Sequence, residues 1–590
     1  MITITAPGTA LVAEIHVAPG DEVAQGTPLI STELMKMRHT ITAPESGIVQ
    51  SIAVVVGHEV ADGQALLTLT PAVVAQNATD ITPDQRPEWH EFQARMTLLL
   101  DDARPKVVAR RHAAGQRTAR ENIDALFDAG SFAEYGALAV AAQRSVKPLD
   151  TLHATTQGDG IICGIGTVGG RAVAAMAVDY MVMAGTQGYN HHRKMDRLIA
   201  LAGRDGLPIV LFAEGGGGRP NDVDVAPMIV AGLNTTSFAN FAAHKGPKIG
   251  VASGFCFAGN AALFGVCDLR IATHNSWIGM GGPAMIEGGG LGRVRPDQIG
   301  PSDVQTRNGV IDLLVADEAD AVAAAISLLN LSARTSETSN VLSADLRHAI
   351  PADRTLAYDM RDVVAGVVDP ESFLELRREF GRGMICGFAR IKGRGLGLLA
   401  NNPMHLGGAI DAEAADKGAR FLQLCDAWGL PAVTLCDTPG FMVGPAIEET
   451  GQVAHVSRLF LAGAHFAQPL ITVILRKAYG LGAMAMAGGG FERPHLCCAW
   501  PTGEIGAMGL EGAVKLGQKE RLAAIADPQE REAEYRRQVA KLYDAGKALN
   551  AASLLEFDAV IDPAETRDHI DRALRTAGPC RPGTRYVDAW

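Results

Sequence analysis

The chain has 590 residues, too many for one hydrophobic core, so roughly three or four domains are expected. Hydrophobic residues make up 47% and charged residues 20%, which excludes disordered and fibrous classes. A net charge of −12 argues against a nucleic-acid surface and offers no basic membrane patch. No apolar run reaches the ~20 residues of a membrane span, and the N-terminus lacks the basic region of a signal peptide, so a soluble, cytoplasmic protein is expected. The nine cysteines form no CxxC pair, so no metal site is expected; they read as buried, reduced thiols.

The first 70 residues repeat internally with an offset of 37 positions. Ala6-Pro7 matches Ala43-Pro44, Gly20 matches Gly57, Glu22-Val23-Ala24 matches Glu59-Val60-Ala61, and Gly26 matches Gly63. Both copies read as short β-branched strands between Gly and Pro turns, 48–54 being one, so a small pseudo-symmetric β-sandwich is expected. Between the copies lies Glu33-Leu34-Met35-Lys36-Met37, read as an exposed hairpin turn. Two methionines on such a tip are unusual, because apolar side chains are disfavoured there. Met35, Lys36 and Met37 between two half-repeats resemble the biotinylation site of biotin carboxyl carrier domains; Leu34 stands where those domains usually have Ala. The resemblance implies biotin on Lys36, attached by a biotin protein ligase. Residues 71–90, rich in Pro, Asn, Thr, Asp and Gln, read as a linker that lets the carrier swing.

A second repeat fills the remainder, with an offset of 223 positions. Gly164 matches Gly387, Gly170-Arg171 matches Gly393-Arg394, Lys194 matches Lys417, Gly206-Leu207-Pro208 matches Gly429-Leu430-Pro431, and Gly217 matches Gly440. Each copy reads as a strand (Arg171–Val178 in the first), a helix (194–202; 416–428) and a buried strand (209–212; 432–436), which is an α/β pattern. Each copy then shows a Gly-rich loop entering an apolar helix, around Ala258-Gly259 and around Leu481-Gly482, which the same offset pairs. Such loops leave backbone N–H groups at a helix start, where they can hold an oxyanion. His191-His192 reads as a surface or CoA-phosphate contact rather than a metal pair.

Several stretches resemble the carboxyltransferase subunits of biotin-dependent acyl-CoA carboxylases: the segment from Arg111 to Gly136, Ala400-Asn401-Asn402-Pro403-Met404, Asp437-Thr438-Pro439-Gly440-Phe441 and Arg476-Lys477-Ala478-Tyr479-Gly480. The resemblance implies two crotonase-like domains (ClpP/crotonase superfamily), 91–340 and 341–590, after the all-β biotinyl domain 1–70. It implies oxyanion holes at Ala258/Gly259 for an acyl-CoA enolate and at Leu481/Gly482 for biotin, with biotin itself as the base. It also implies a homodimer or hexamer, and a separate biotin carboxylase subunit. Two other readings stay open: a biotin-dependent acyl-CoA decarboxylase or transcarboxylase subunit, and a non-catalytic carrier scaffold. The acyl group is not legible, although Ala483, Met484 and Met486 after the second loop suggest an apolar neighbourhood.

Overall fold

The 37-residue repeat holds to the residue in the computed structural model, where Ala10–Ile15 maps onto Gly47–Ile52 and Pro28–Leu34 onto Ala65–Pro71. The structure describes residues 1–74, 86–225, 235–335, 343–583 and 586–590. It divides into two units, Met1–His90 and Glu91–Trp590.

In the N-terminal unit the two half-repeats interlock. One four-stranded sheet orders Ile2–Thr5, Ala65–Pro71, Gly47–Ile52 and Glu22–Val23; the other orders Met37–Thr42, Pro28–Leu34, Ala10–Ile15 and Glu59–Val60. Each sheet therefore takes two strands from each half, and neither half can close a core alone. Apolar residues such as Val12, Leu29, Val49, Leu66 and Leu69 fill the space between the sheets. The turn glycines Gly20 and Gly57 are left-handed, with φ of 97° and 88°, which explains their repetition.

The expected linker 71–90 is corrected at both ends. Pro71 is the last residue of a strand, and Pro87 opens the helix Pro87–Leu98, where its fixed φ suits the first turn. The centre of that segment, 75–85, lies outside the described residues.

In the unit Glu91–Trp590 each half of the repeat builds one sheet. The first has seven strands, running from Leu313–Val315 through Leu269–Gly279, Lys248–Phe257, Ile209–Gly215, Arg171–Val178 and Ile161–Val168 to Ala133–Glu134. The second has eight, with Met384–Ile391, Arg394–Asn401, Ala432–Thr438 and Leu470–Tyr479 in the equivalent places. The predicted helices are longer than read, Tyr189–Asp205 and Ala412–Ala427. One core joins the halves: Val251 and Leu329 of the first belong to the same buried cluster as Phe388 and Phe421 of the second. The expected boundary at 340/341 falls outside the described residues.

The junction also holds a buried ionic hub. Asp312 of the first half receives Arg270 Nε at 3.2 Å, and Arg377 Nε at 2.7 Å and Arg420 Nη1 at 3.2 Å from the second half. Burial alone would raise the Asp312 carboxyl, but the three guanidinium groups overcome it and hold it well below the usual carboxylate range.

The 223-residue offset is corrected beyond the central strand. Ile209 pairs with Lys248 and Ala432 with Leu470, so the strands that precede the two Gly-rich loops are 222 positions apart. The connection into the second of these strands is one residue shorter. Ala258 therefore corresponds to Gly480, and the backbone agrees, with φ of 51° and 55°.

Candidate active site

The tip of the N-terminal unit is a two-residue hairpin. Leu34 pairs with Met37, leaving Met35 and Lys36 as the turn, with φ of 51° and 65°. Two left-handed residues are what a tight hairpin of this twist demands, and Asn-Gly usually supplies them. Met and Lys occupy them here at a conformational cost, as strained residues at functional sites do. Met35 is 90% exposed and Met37 is 75% exposed. The Lys36 amine stands at a projecting tip flanked by apolar side chains that no core claims, which fits a covalently held group added by another enzyme.

In the first half of the body three loops converge. Lys248–Phe257 leads into the helix Gly259–Gly265 through Ala258, whose φ 51° and ψ −118° are strained for a residue with a Cβ. Gly259 is the first residue of that helix, so its N–H has no intrahelical acceptor. Ala258 differs from the expectation. Its N–H donates to the Gly279 carbonyl at 3.0 Å, because the parallel ladder with Leu269–Gly279 continues one residue past Phe257. Its amide is therefore already engaged, and its turn serves to aim the next one.

The second loop, Met183–Gly185, carries three left-handed residues in succession. The third runs from Glu214 to Arg219. A Cβ on Gly217 would lie 3.5 Å from the Gly259 nitrogen, and one on Gly185 would lie 2.6 Å from the Glu214 carbonyl oxygen, so these backbones touch where side chains would normally stand.

The second half repeats the arrangement. Leu406, Gly407 and Gly408 are left-handed at the positions of Met183, Ala184 and Gly185. Ile410 N–H donates to the Gly440 carbonyl at 3.0 Å, as Gln187 N–H donates to Gly217 at 2.9 Å. Leu481 and Gly482 are the second and third residues of the helix Gly480–Met486, so their N–H groups also lack intrahelical acceptors. Leu481 is 61% exposed, whereas Gly482 is buried against Gly440. Beside them opens a cleft of about 520 Å³ lined by Gly480, Met484, Phe491, Ile505 and Leu554. Met486 and Ala483 do not reach it; both are core residues.

The acidic residues beside these loops are locked. Glu214 takes a two-pronged ion pair from Arg111, Nη1 at 3.0 Å and Nη2 at 2.5 Å. Burial pushes its carboxyl up to about 7 against the pull of that arginine. Its counterpart Asp437 accepts from Arg476 Nε at 3.0 Å and from the Tyr358 hydroxyl at 2.8 Å. Neither carboxylate is placed to shuttle a proton. His191 and His192 are corrected: both are buried, His191 held by Asp159 and His192 Nδ1 3.1 Å from Ser237 Oγ, so they form no surface contact. Their helix packs both side chains inward, which adjacency in the sequence did not suggest. Of the cysteines eight are buried as expected and Cys580 is exposed.

Two residues at the first site had no role in the sequence reading. Asn260 and Gln187 are each 1% exposed, and Gln187 Nε2 donates to Asn260 Oδ1 at 2.9 Å. The available signal was a lone Asn ahead of Ala261-Ala262-Leu263-Phe264, since a polar residue on a buried helix needs partners.

Residues 110–578 match the family described as the carboxyl transferase domain, and residues 2–69 match the family described as biotin-requiring enzyme. The propionyl-CoA carboxylase beta chain of Saccharopolyspora erythraea is 32% identical over 85% of this chain and 96% of its own length. The methylmalonyl-CoA decarboxylase subunit alpha of Veillonella parvula is 31% identical over 80% of this chain and 91% of its own. Among solved structures, a single-chain, multi-domain long-chain acyl-CoA carboxylase is 46% identical with a TM-score of 0.78 over 97% of this chain; this chain spans 56% of its length. The transcarboxylase 12S hexamer, solved with methylmalonyl-CoA bound, is 27% identical with a TM-score of 0.73 over 85% of this chain and 98% of its own. The touching loops at two helix starts, the sandwich with its projecting lysine and these likenesses agree: the chain belongs to the crotonase-like carboxyltransferases of the biotin-dependent acyl-CoA carboxylases, with a biotin carrier domain at its N-terminal end.

Proposed function

We propose that this chain carboxylates the α-carbon of an acyl-CoA, with Lys36 as the attachment point of biotin. The observation that carries the reading is the joint presence of a projecting lysine tip and a two-fold body whose loops present helix-start amides. Biotin, once attached, supplies both the carboxyl group and the base. The rest falls to the chain. As the α-proton leaves the acyl-CoA, negative charge grows on the thioester oxygen, and the Gly259 N–H is placed to hold it. With biotin bound, the Leu481 and Gly482 N–H groups would hold its ureido oxygen and favour negative charge there. A main-chain donor of this kind is worth about 3 kcal/mol in the barrier, with no proton transfer of its own. The buried ion pairs of Glu214 and Asp437 hold the loops and leave the proton to the cofactor.

The reading extends to domains 1–70, 91–340 and 341–590, to modification by a biotin protein ligase, to carboxyl supply by a separate biotin carboxylase subunit, and to a homodimeric or hexameric body in the cytoplasm. The transcarboxylase 12S hexamer supports the assembly. Among the described residues no helix is long and apolar enough to cross a membrane.

Lys36→Arg is the direct test. It should abolish biotin labelling and coupled carboxylation, while transfer from free N-carboxylated biotin added as a reagent persists. Coupled carboxylation that survives the substitution overturns the assignment of Lys36. Labelled bicarbonate, ATP and a biotin carboxylase with a panel of acyl-CoAs test the direction. ATP-independent, sodium-dependent CO2 release would instead place the chain with the decarboxylase to which it is 31% identical.

A further inference from the structure

Asn260 is the second residue of the helix that opens at Gly259 and is 1% exposed. Its Nδ2 lies 3.0 Å from the Gly185 carbonyl oxygen, 3.0 Å from that of Glu214 and 2.7 Å from that of Gly216. An amide nitrogen has two hydrogens, so three carbonyls share two donors. Gln187 Nε2, donating to Asn260 Oδ1 at 2.9 Å, fixes which end of the amide faces them. One side chain thus binds both of the other loops that meet at Gly259.

We infer that Asn260 is a positioning residue for the first oxyanion hole, holding three carbonyl oxygens of the converging loops on one amide while the adjacent Gly259 N–H is aimed at the acyl-CoA oxygen. The inference rests on the proposed role of Gly259. Carbonyl oxygens are the least compatible neighbours of a developing oxyanion, and engaging them on a donor removes their repulsion. Asn260 and Gly259 are consecutive, so any shift of the hub moves the donor directly. The other half does this differently. There the equivalent position is Gly482, which has no side chain, and the loops meet backbone to backbone, a Cβ on Gly482 falling 2.7 Å from the Gly440 Cα. Among the described residues the hub therefore belongs to the first hole.

Asn260→Asp keeps the shape of the side chain and turns an acceptor toward the three carbonyls; Asn260→Ala removes the hub and is the second variant should the first not fold. Calorimetry on the full chain without biotin measures two probes, propionyl-CoA and a CoA thioether bearing a nitronate, which has the charge of the enolate. Both variants should keep propionyl-CoA affinity within about two-fold and lose nitronate affinity by on the order of 100-fold, the scale of an ångström-level misplacement. In steady state kcat should fall by a similar factor with KM unchanged. Equal weakening of both probes would show a merely structural role and overturn the inference. A nitronate preference that survives in both variants would overturn it as well, leaving the Gly259 reading intact. A wild-type chain with no nitronate preference would overturn the Gly259 reading and Asn260 with it.

Discussion

Ala258 and Gly480 occupy the same place in the two halves of the body, and both are left-handed, with φ of 51° and 55°. In the first half the strained residue bears a methyl group and the loops are tied by the buried amide of Asn260. In the second half the residue at that place is Gly, which adopts this φ without strain, and Gly482 lets two backbones meet without a side chain between them. A site made of main-chain amides constrains φ and ψ more than it constrains residue type. Two copies of one backbone therefore bring their loops together by different side-chain routes, one a hydrogen-bonded hub and one close backbone contact.

The largest effect is expected where the halves are joined. Asp312→Asn leaves Arg270, Arg377 and Arg420 without their buried counter-charge and should cost about 3–5 kcal/mol in chemical denaturation. Because the folded carboxyl lies below its unfolded value, its contribution is complete above the unfolded value and is lost as pH falls through the folded one. The gap between wild type and variant should thus stay constant from about pH 5 to 8 and close only in strong acid. Two separate unfolding transitions in the variant would show that the halves fold independently, against the shared core.

The next effect separates the two left-handed turns. Gly480→Ala gives the second half the residue of the first, but its Cβ would meet the Ala507 carbonyl oxygen at 2.8 Å in a left-handed backbone. It should cost about 1–3 kcal/mol by thermal melting and lower transfer from free N-carboxylated biotin. The reciprocal change is the smallest. Ala258→Gly releases strain and loses some chain stiffness, for a net gain of about 1 kcal/mol. It should leave kcat unchanged, because the Gly259 N–H remains; a fall in kcat would mean that the Ala258 methyl itself shapes the hole.

Much of this architecture is written in spacing. The carrier repeat is legible because each half supplies strands to both sheets, so its turns must recur at one interval; Gly20 and Gly57 recur for their left-handed φ. The body repeat is legible as far as Gly217 and Gly440 because each half builds its own sheet from the same succession of strands and helices. It misleads at Ala258, because a single-residue difference in a connection leaves strand pairing intact while shifting every number after it. The linker reading failed at Pro87 because a short, polar, exposed helix has the composition of a loop. His191 and His192 were misplaced because burial depends on what a helix packs against, and adjacency in sequence says nothing of that.

The sequence by itself determined the lysine tip, both repeats, the α/β body and the two Gly-rich loops at helix starts, because turn chemistry and hydrophobic period are local properties of the chain. Only the tertiary structure decided which amides are open. The Ala258 N–H is taken by Gly279 across a strand ladder, the Asn260 amide gathers carbonyls from residues 44 to 75 positions away, and Asp312 finds two of its three arginines in the other half. These are long-range pairings, set by how sheets and loops stack, and no local pattern records them.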